Sequence, residues 1–258
     1  MQDSLRFQVH PDLDDPVLVL AFAGWNDASE AATGTVQFLN DTMLAAPLAE
    51  IDPEDFYDFT IARPHLSLEE GRGRRLVWPS TEFRYGQQEP VEFVTALGTE
   101  PHMRWSHFCD CVMRLADAIG AGRVVLLGSY LSDVVYSRPV DVSGFATDPA
   151  ILDQLDVARS VYEGPTGIIG VLSECLQSEG RELLSMWAGL PHYLNTSPNP
   201  RGTLALLEKL SRYTGARFDD SELRVQAEDF EKQVNELVAA DPELADYVKQ
   251  LKRRDFGQ

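Results

Sequence analysis

Basic residues are scarce in this chain: 22 lysines and arginines face 41 aspartates and glutamates, a formal net charge of −19. Neutralised phosphates supply most nonspecific affinity for nucleic acid, so this balance argues against a DNA or RNA partner. The same field repels anionic membranes, while it favours solubility and suits a protein partner with a basic face. Cysteine is nearly missing. Cys109, Cys111 and Cys175 are too few, and odd in number, for a disulfide framework, which points to a reducing compartment. No apolar run reaches the ~18 residues of a membrane span. The opening "MQDSLRFQVHPDLDDP" lacks the basic-then-apolar order of a signal peptide, so a cytoplasmic location is expected. Internal repeats and low-complexity tracts are missing as well.

Catalytic and metal signatures are equally sparse. No G-x-S-x-G elbow occurs, and the nearest candidate, Ser129 in "LGSYLS", lacks the second glycine. None of the five histidines has a spacing that ties it to a nucleophile, although Ser129 and His192 could meet through the fold. Cys109 and Cys111 are two apart on an expected helix and point to different faces; His102 and His107 are five apart, again off one face. No metal and no cofactor are expected. "GPTGIIG" sets Gly164, Gly167 and Gly170 at a helix opening, where free amides favour an anion. It matches neither nucleotide fingerprint, and close helix–sheet packing with Thr166 as N-cap explains it as well.

What is present is ordinary for a folded chain of 258 residues: 44% hydrophobic and 24% charged. "PVLVLAF" (16–22) and "RVVLLG" (123–128) read as strands buried on both faces. After the first, Asp27 can cap a helix, with Glu30 completing a capping box and Ala32, Val36, Leu39 and Met43 on one face. "DFYDFTI", "RRLVW" and "VEFVTAL" read as further strands from their aromatic and β-branched content. Residues 101–119 read as a helix with Trp105, Phe108, Val112, Leu115 and Ile119 inward, between Pro101 and Gly120. The "GPTGIIG" helix turns Ile169, Leu172 and Leu176 inward and stops at Gly180. "ELLSMWA" is another strand, and a helix capped by Asn199, started by Pro200 and ended by Gly215 follows.

Buried strands alternating with amphipathic helices predict an α/β fold, a three-layer αβα sandwich on a mostly parallel central sheet. This core is expected over 1–216, with a helical hairpin extension over 217–258. In the extension Leu223, Ala227, Phe230, Val234 and Leu237 follow heptad spacing, resumed by Leu244, Val248 and Leu251 after Pro242. So narrow a stripe packs either on its own domain or between subunits; the second reading makes Leu223, Phe230, Val234 and Leu237 an oligomer contact.

Two polar segments follow buried strands and should lie at the carboxyl edge of the sheet, where such folds place ligands. "AGWNDAS" brings Trp25, Asn26 and Asp27. "LLGSYLSDVVYSRPVDVSGFATD" brings Ser129, Tyr130, Ser132, Asp133, Ser137 and Arg138. With Thr166 and Gly167 they could line one cleft for a nucleoside or phosphorylated compound, with Arg138 as the anion contact. They could equally serve as turns and caps. On sequence alone both readings stand.

"LVLAFAGWNDASEAA", "LLGSYLSDVVYSRPVDVSGFATD" and "GPTGIIGVL", in that order, resemble the proteasome assembly chaperone family, in the branch founded by the second eukaryotic assembly chaperone. The "SRPV" and "GFATD" of the second motif resemble the bacterial form. The likeness runs from about Val17 to Tyr213, and the tail resembles an extension of actinobacterial members. The resemblance implies a core similar to nucleoside phosphorylases and related hydrolases, without an established catalytic role. It also implies self-association as a trimer or other small assembly, and action on proteasome subunits or another protein complex. Relatives that dock on the α ring often end in a hydrophobic–Tyr–X tail. This chain ends "RRDFGQ", with Gly257 in the tyrosine's place.

Overall fold

The computed structural model describes residues 3–69, 73–194 and 196–255. Gly257, on which the departure from the docking tail rests, lies outside them. The strands in chain order are β1 (Leu5–Phe7), β2 (Val17–Ala23), β3 (Ala46–Ile51), β4 (His65–Glu69), β5 (Gly73–Val77) and β6 (Thr81–Gln88). They continue as β7 (Val91–Thr99), β8 (Arg123–Ser132), β9 (Val142–Ala146), β10 (Ala158–Arg159) and β11 (Glu182–Pro191). The helices are α1 (Ala31–Thr42), α2 (Trp105–Ala118), α3 (Pro149–Leu155), α4 (Ile168–Ser178), α5 (Pro200–Thr214), α6 (Ser221–Ala240) and α7 (Pro242–Asp255).

Nine strands form one sheet in the order β1-β3-β6-β7-β2-β8-β11-β9-β10. The four central strands, β7-β2-β8-β11, run parallel. Antiparallel pairings attach β6, β3 and β1 on one side and β9 on the other. The centre is therefore parallel and flanked by antiparallel pairs, with β10 joining β9 in parallel at the far edge; crossover helices are needed between the parallel central neighbours. β2 and the first part of β8 are buried on both faces and alternate between two cores. Leu18, Leu20, Leu126 and Phe22 meet α2 and α4 on one face. Val19, Ala21, Val125 and Leu127 meet α1, α3 and α5 on the other. This is the three-layer αβα arrangement.

Several local expectations differ from what forms. "DFYDFTI" is no strand: after a 3-10 turn at Pro53–Asp55, Phe56 and Tyr57 plug the first core from a loop. Their aromatic content serves burial rather than pleating. "RRLVW" does extend, but with β4 it makes a separate two-stranded ribbon. The capping box fails too. Ser29 and Glu30 take left-handed backbone angles, and Glu30 itself occupies the N-cap position of α1 without a side-chain bond. Helix α2 starts at Trp105, four residues after Pro101. By contrast α5 begins and ends as expected: Asn199 accepts from the amides of Arg201 and Gly202, Pro200 follows, and Gly215 closes it at φ +78.

The C-terminal helices pack on the chain itself. Leu223 enters the second core, while Val234, Val238 and Val248 close over Tyr136 and Leu194, with Phe230 against them. Leu237, expected on the same stripe, is 48% exposed, and Val238 takes the inward position. An α-helix advances 3.6 residues per turn, so the stripe drifts by one position over this length. Among the described residues no helix is long and apolar enough to cross a membrane.

Candidate functional site

β2 ends at Ala23, and the chain leaves the sheet at Gly24, whose φ of +117 an L side chain would resist. It returns at once. The amide of Ser129 donates to the Asn26 carbonyl at 2.9 Å, and Asp27 bridges Ser129 in parallel register. Ser129 is thus still inside β8, which runs to Ser132, rather than in a loop beyond it. The excursion throws Trp25 outward, where it is 59% exposed, and buries Asn26 and Asp27.

The Asp27 carboxylate works as a cap at a distance. It accepts from the amide of Ala32 at 2.8 Å and of Thr33 at 3.3 Å, and from the Thr33 hydroxyl. Ser129 Oγ donates to it at 3.4 Å and to the Ala28 carbonyl at 2.9 Å. Burial pushes the Asp27 carboxyl above its ordinary range, against the pull of these donors. The carboxylate holds the start of α1 to the ends of two central strands.

The opening of α4 receives an anion from the protein itself. Glu100 follows directly on β7, its amide bonded to the Ala23 carbonyl. Its Oε1 accepts from the amide of Ile168 at 2.8 Å and from Asn26 Nδ2 at 2.7 Å. Gly167, not Thr166, is the N-cap of α4. A Cβ at Gly167 would stand 2.4 Å from both Asn26 Oδ1 and Glu100 Oε1, so only glycine allows this junction. Thr166 is exposed. The helix opening where free amides would favour an anion is therefore filled by a side chain whose position in sequence, 68 residues earlier, gave no local signal.

The rest of the polar segment does not join Asn26 and Asp27. It forms the platform on which α6 and α7 dock. Tyr193 OH donates to the Val134 carbonyl and accepts from the Tyr136 amide, each at 2.9 Å. Tyr136 OH donates to Asn235 at 2.6 Å, and Tyr247 OH donates to Asp133 at 3.2 Å. Arg201 holds the carbonyls of Tyr136 and Arg138 and lies 3.3 Å from Glu231. Asp133 also lies 3.1 Å from His192 Nδ1. Ser129 and His192 thus engage different partners. Arg138 is exposed and Ser137 half-buried, while Ser132 lends its carbonyl to the His192 amide.

Other histidines and thiols are also absorbed by packing. His107 stacks on Phe56 and meets Ser4 Oγ at 3.1 Å; His102 Nδ1 accepts from the Asp58 amide. Cys109 and Cys111 are buried, and burial pushes both thiols up, Cys111 to about 11. Among the described residues no group of three His, Cys, Asp or Glu side chains is placed to hold a metal. Of the expected cleft residues only Tyr130 lines any of the three open grooves of 810, 720 and 920 Å³.

The PAC2 family model matches residues 21–238. A Mycobacterium tuberculosis proteasome-assembly chaperone homologue is 38% identical, with a TM-score of 0.82 covering 90% of this chain and 99% of its own. A PAC2 family protein from Streptomyces avermitilis is 40% identical, with a TM-score of 0.83 covering 91% and 100%. An archaeal proteasome activator from Pyrococcus furiosus shares the fold at 15% identity, with a TM-score of 0.71 covering 90% and 97%. No curated protein matches.

Proposed function

The chain belongs to the PAC2 family, and from that premise we propose that it is a noncatalytic assembly factor, a homo-oligomer that acts on another protein complex. One observation carries the reading: a proteasome-assembly chaperone homologue shares 38% identity over 90% of the chain. The carboxyl edge supports it. In enzymes of this architecture that edge is the ligand crevice. Here Asn26, Asp27, Ser129 and Glu100 bond one another and the starts of α1 and α4, while the next segment lies under α6 and α7. Side chains so engaged are supports for a surface, and the acidic surface suits a protein partner with a basic face. We place the protein in the cytoplasm, where the proteasome or another multisubunit complex is its client.

The test is purification of a tagged copy from its own cells, with quantification of co-eluting proteins. Subunits of one multisubunit complex, the proteasome first, should enrich over a tag control, and deletion of the gene should lower the assembled fraction of that complex. Enrichment of nothing, with every complex unchanged in the deletion strain, would contradict the reading.

A further inference from the structure

A groove of about 720 Å³ opens between α1, the start of α5 and the start of α6. Its floor is apolar: Phe38 and Leu97 are half-buried against the second core, to which Leu223 belongs. Its rim is acidic. Glu30 and Asp41 stand towards the two ends of α1, Asp219 and Glu222 at the start of α6, and all four are exposed. Among the described residues no lysine or arginine lines it. The other two grooves differ, since Arg201 and Lys209 line that of 810 Å³ and Arg84 lines that of 920 Å³.

Nearby carboxylates are neutralised within the chain. Arg224 lies 2.8 Å from both Asp220 and Glu208, and Arg201 lies 3.3 Å from Glu231. The acids of the groove are not. Asp219 accepts from the amide and hydroxyl of Ser221, and Asp41 accepts from Gln37 Nε2 at 2.8 Å. Glu30 and Glu222 have no ion-pair partner among the described residues. The bonds from Ser221 hold the Asp219 carboxyl below its ordinary range, so it stays ionised at neutral pH. A small cation satisfies such carboxylates but leaves Phe38 and Leu97 wet. A chain segment that alternates cationic and apolar side chains satisfies both. The length fits as well: the 12 residues of α1 run about 18 Å, which about five or six residues of extended chain span.

We infer that this groove holds an extended, basic segment of the partner protein. Its arginines or lysines meet Glu30, Asp41 and Glu222, and the apolar side chains between them cover Phe38 and Leu97. The net negative charge of the chain draws such a segment in, and the groove gives it a fixed seat. The inference rests on the protein-partner role proposed above and names the surface that serves it.

Fluorescence anisotropy with the full chain tests it. The probe is a labelled, end-capped heptapeptide of arginine alternating with leucine; its glutamate–leucine counterpart and spermine serve as competitors. The probe should bind saturably, and Glu30→Lys and Glu222→Lys should each weaken it about tenfold with an unchanged circular dichroism spectrum. Glu174→Lys makes the same charge change on the exposed side of α4, outside the groove, and should leave binding as it was. An equal loss from Glu174→Lys means that diffuse charge does the binding and overturns the inference. Displacement by the glutamate–leucine peptide, or by spermine as readily as by unlabelled probe, overturns it too. The variant Glu30→Lys plus Glu222→Lys, tagged and purified from cells, should lose the co-purifying complex. If that variant captures the complex undiminished, the groove is the wrong surface and the assembly role stands. Groove-dependent peptide binding beside a wild type that captures nothing sinks the assembly role and spares the groove.

Discussion

Replacing Asp27 separates a supporting role at the carboxyl edge from a chemical one. Asp27→Ala deletes the acceptor for the amides of Ala32 and Thr33 and for two hydroxyls. Ala32 is fully buried, so water cannot take the acceptor's place. An abandoned buried donor costs about 1–3 kcal/mol, and the lost cap adds about 1 kcal/mol. Release from desolvating the carboxylate offsets part of this, which leaves a net loss of about 2–3 kcal/mol. In a chain of this size each kcal/mol lowers Tm by about 2–4 °C, a fall of about 4–12 °C in all. Urea denaturation of the purified chain, read by tryptophan fluorescence and circular dichroism, gives the number. Asp27→Asn keeps one acceptor and should cost about 1 kcal/mol or less. A loss for Asp27→Ala under about 0.5 kcal/mol, together with abolished partner capture, would refute the supporting role.

The same carboxyl sets a pH dependence. Its folded value lies above the ordinary 3.8, so the folded state binds the proton more tightly than the unfolded one. The stability this gives is complete below 3.8 and is lost as pH rises through the raised value. Asp27→Asn does not titrate, so urea midpoints from about pH 4 to about pH 7 should move in its favour relative to wild type; a constant gap would remove the argument. Gly167→Ala should destabilise as much as Glu100→Ala, and the two should not add, because the new Cβ displaces the same carboxylate from α4. Additive losses in a double-mutant cycle would separate them. Native alkylation at pH 8 should modify Cys175 first and leave Cys109 and Cys111 intact until urea is added, since both are buried with raised thiols. Rapid native modification of Cys111, seen by mass spectrometry, would contradict this. Leu251→Ala, at a side chain 3% exposed, should cost about 2–3 kcal/mol and speed tryptic cleavage within 217–255; unchanged cleavage would mean the tail is held otherwise.

The legible parts of this fold are those whose cause is local. α5 carries its cap, its proline and its closing glycine within one stretch, and the strands β2 and β8 announce themselves by unbroken apolar runs. β6 was silent because "TEFRYGQQ" is mostly polar, buried only where Thr81 and Phe83 face the core. The Asp27–Glu30 box misled because the need to return to Ser129 outweighs local helix chemistry, forcing Ser29 and Glu30 into left-handed angles. Glu100 was invisible for a related reason: nothing near it in sequence calls for a carboxylate. Asn26, Asp27 and Ser129 meet at the ends of β2 and β8. Asp133 instead meets Tyr247 of α7, and the Arg138 carbonyl meets Arg201 of α5, which also pairs with Glu231 of α6. Long-range partners of this kind leave no periodicity to read.

An assembly assay tests the central claim most directly. Subunits of the complex that co-purifies with the chain are mixed at fixed concentration, with and without the purified chain, and the assembled fraction is read on native gels over time. The account predicts a higher yield or rate with the wild-type chain, unaffected by nucleosides or sugar phosphates. An assembled fraction identical with and without the chain, alongside a saturable rise in Tm with one of those compounds, would contradict it.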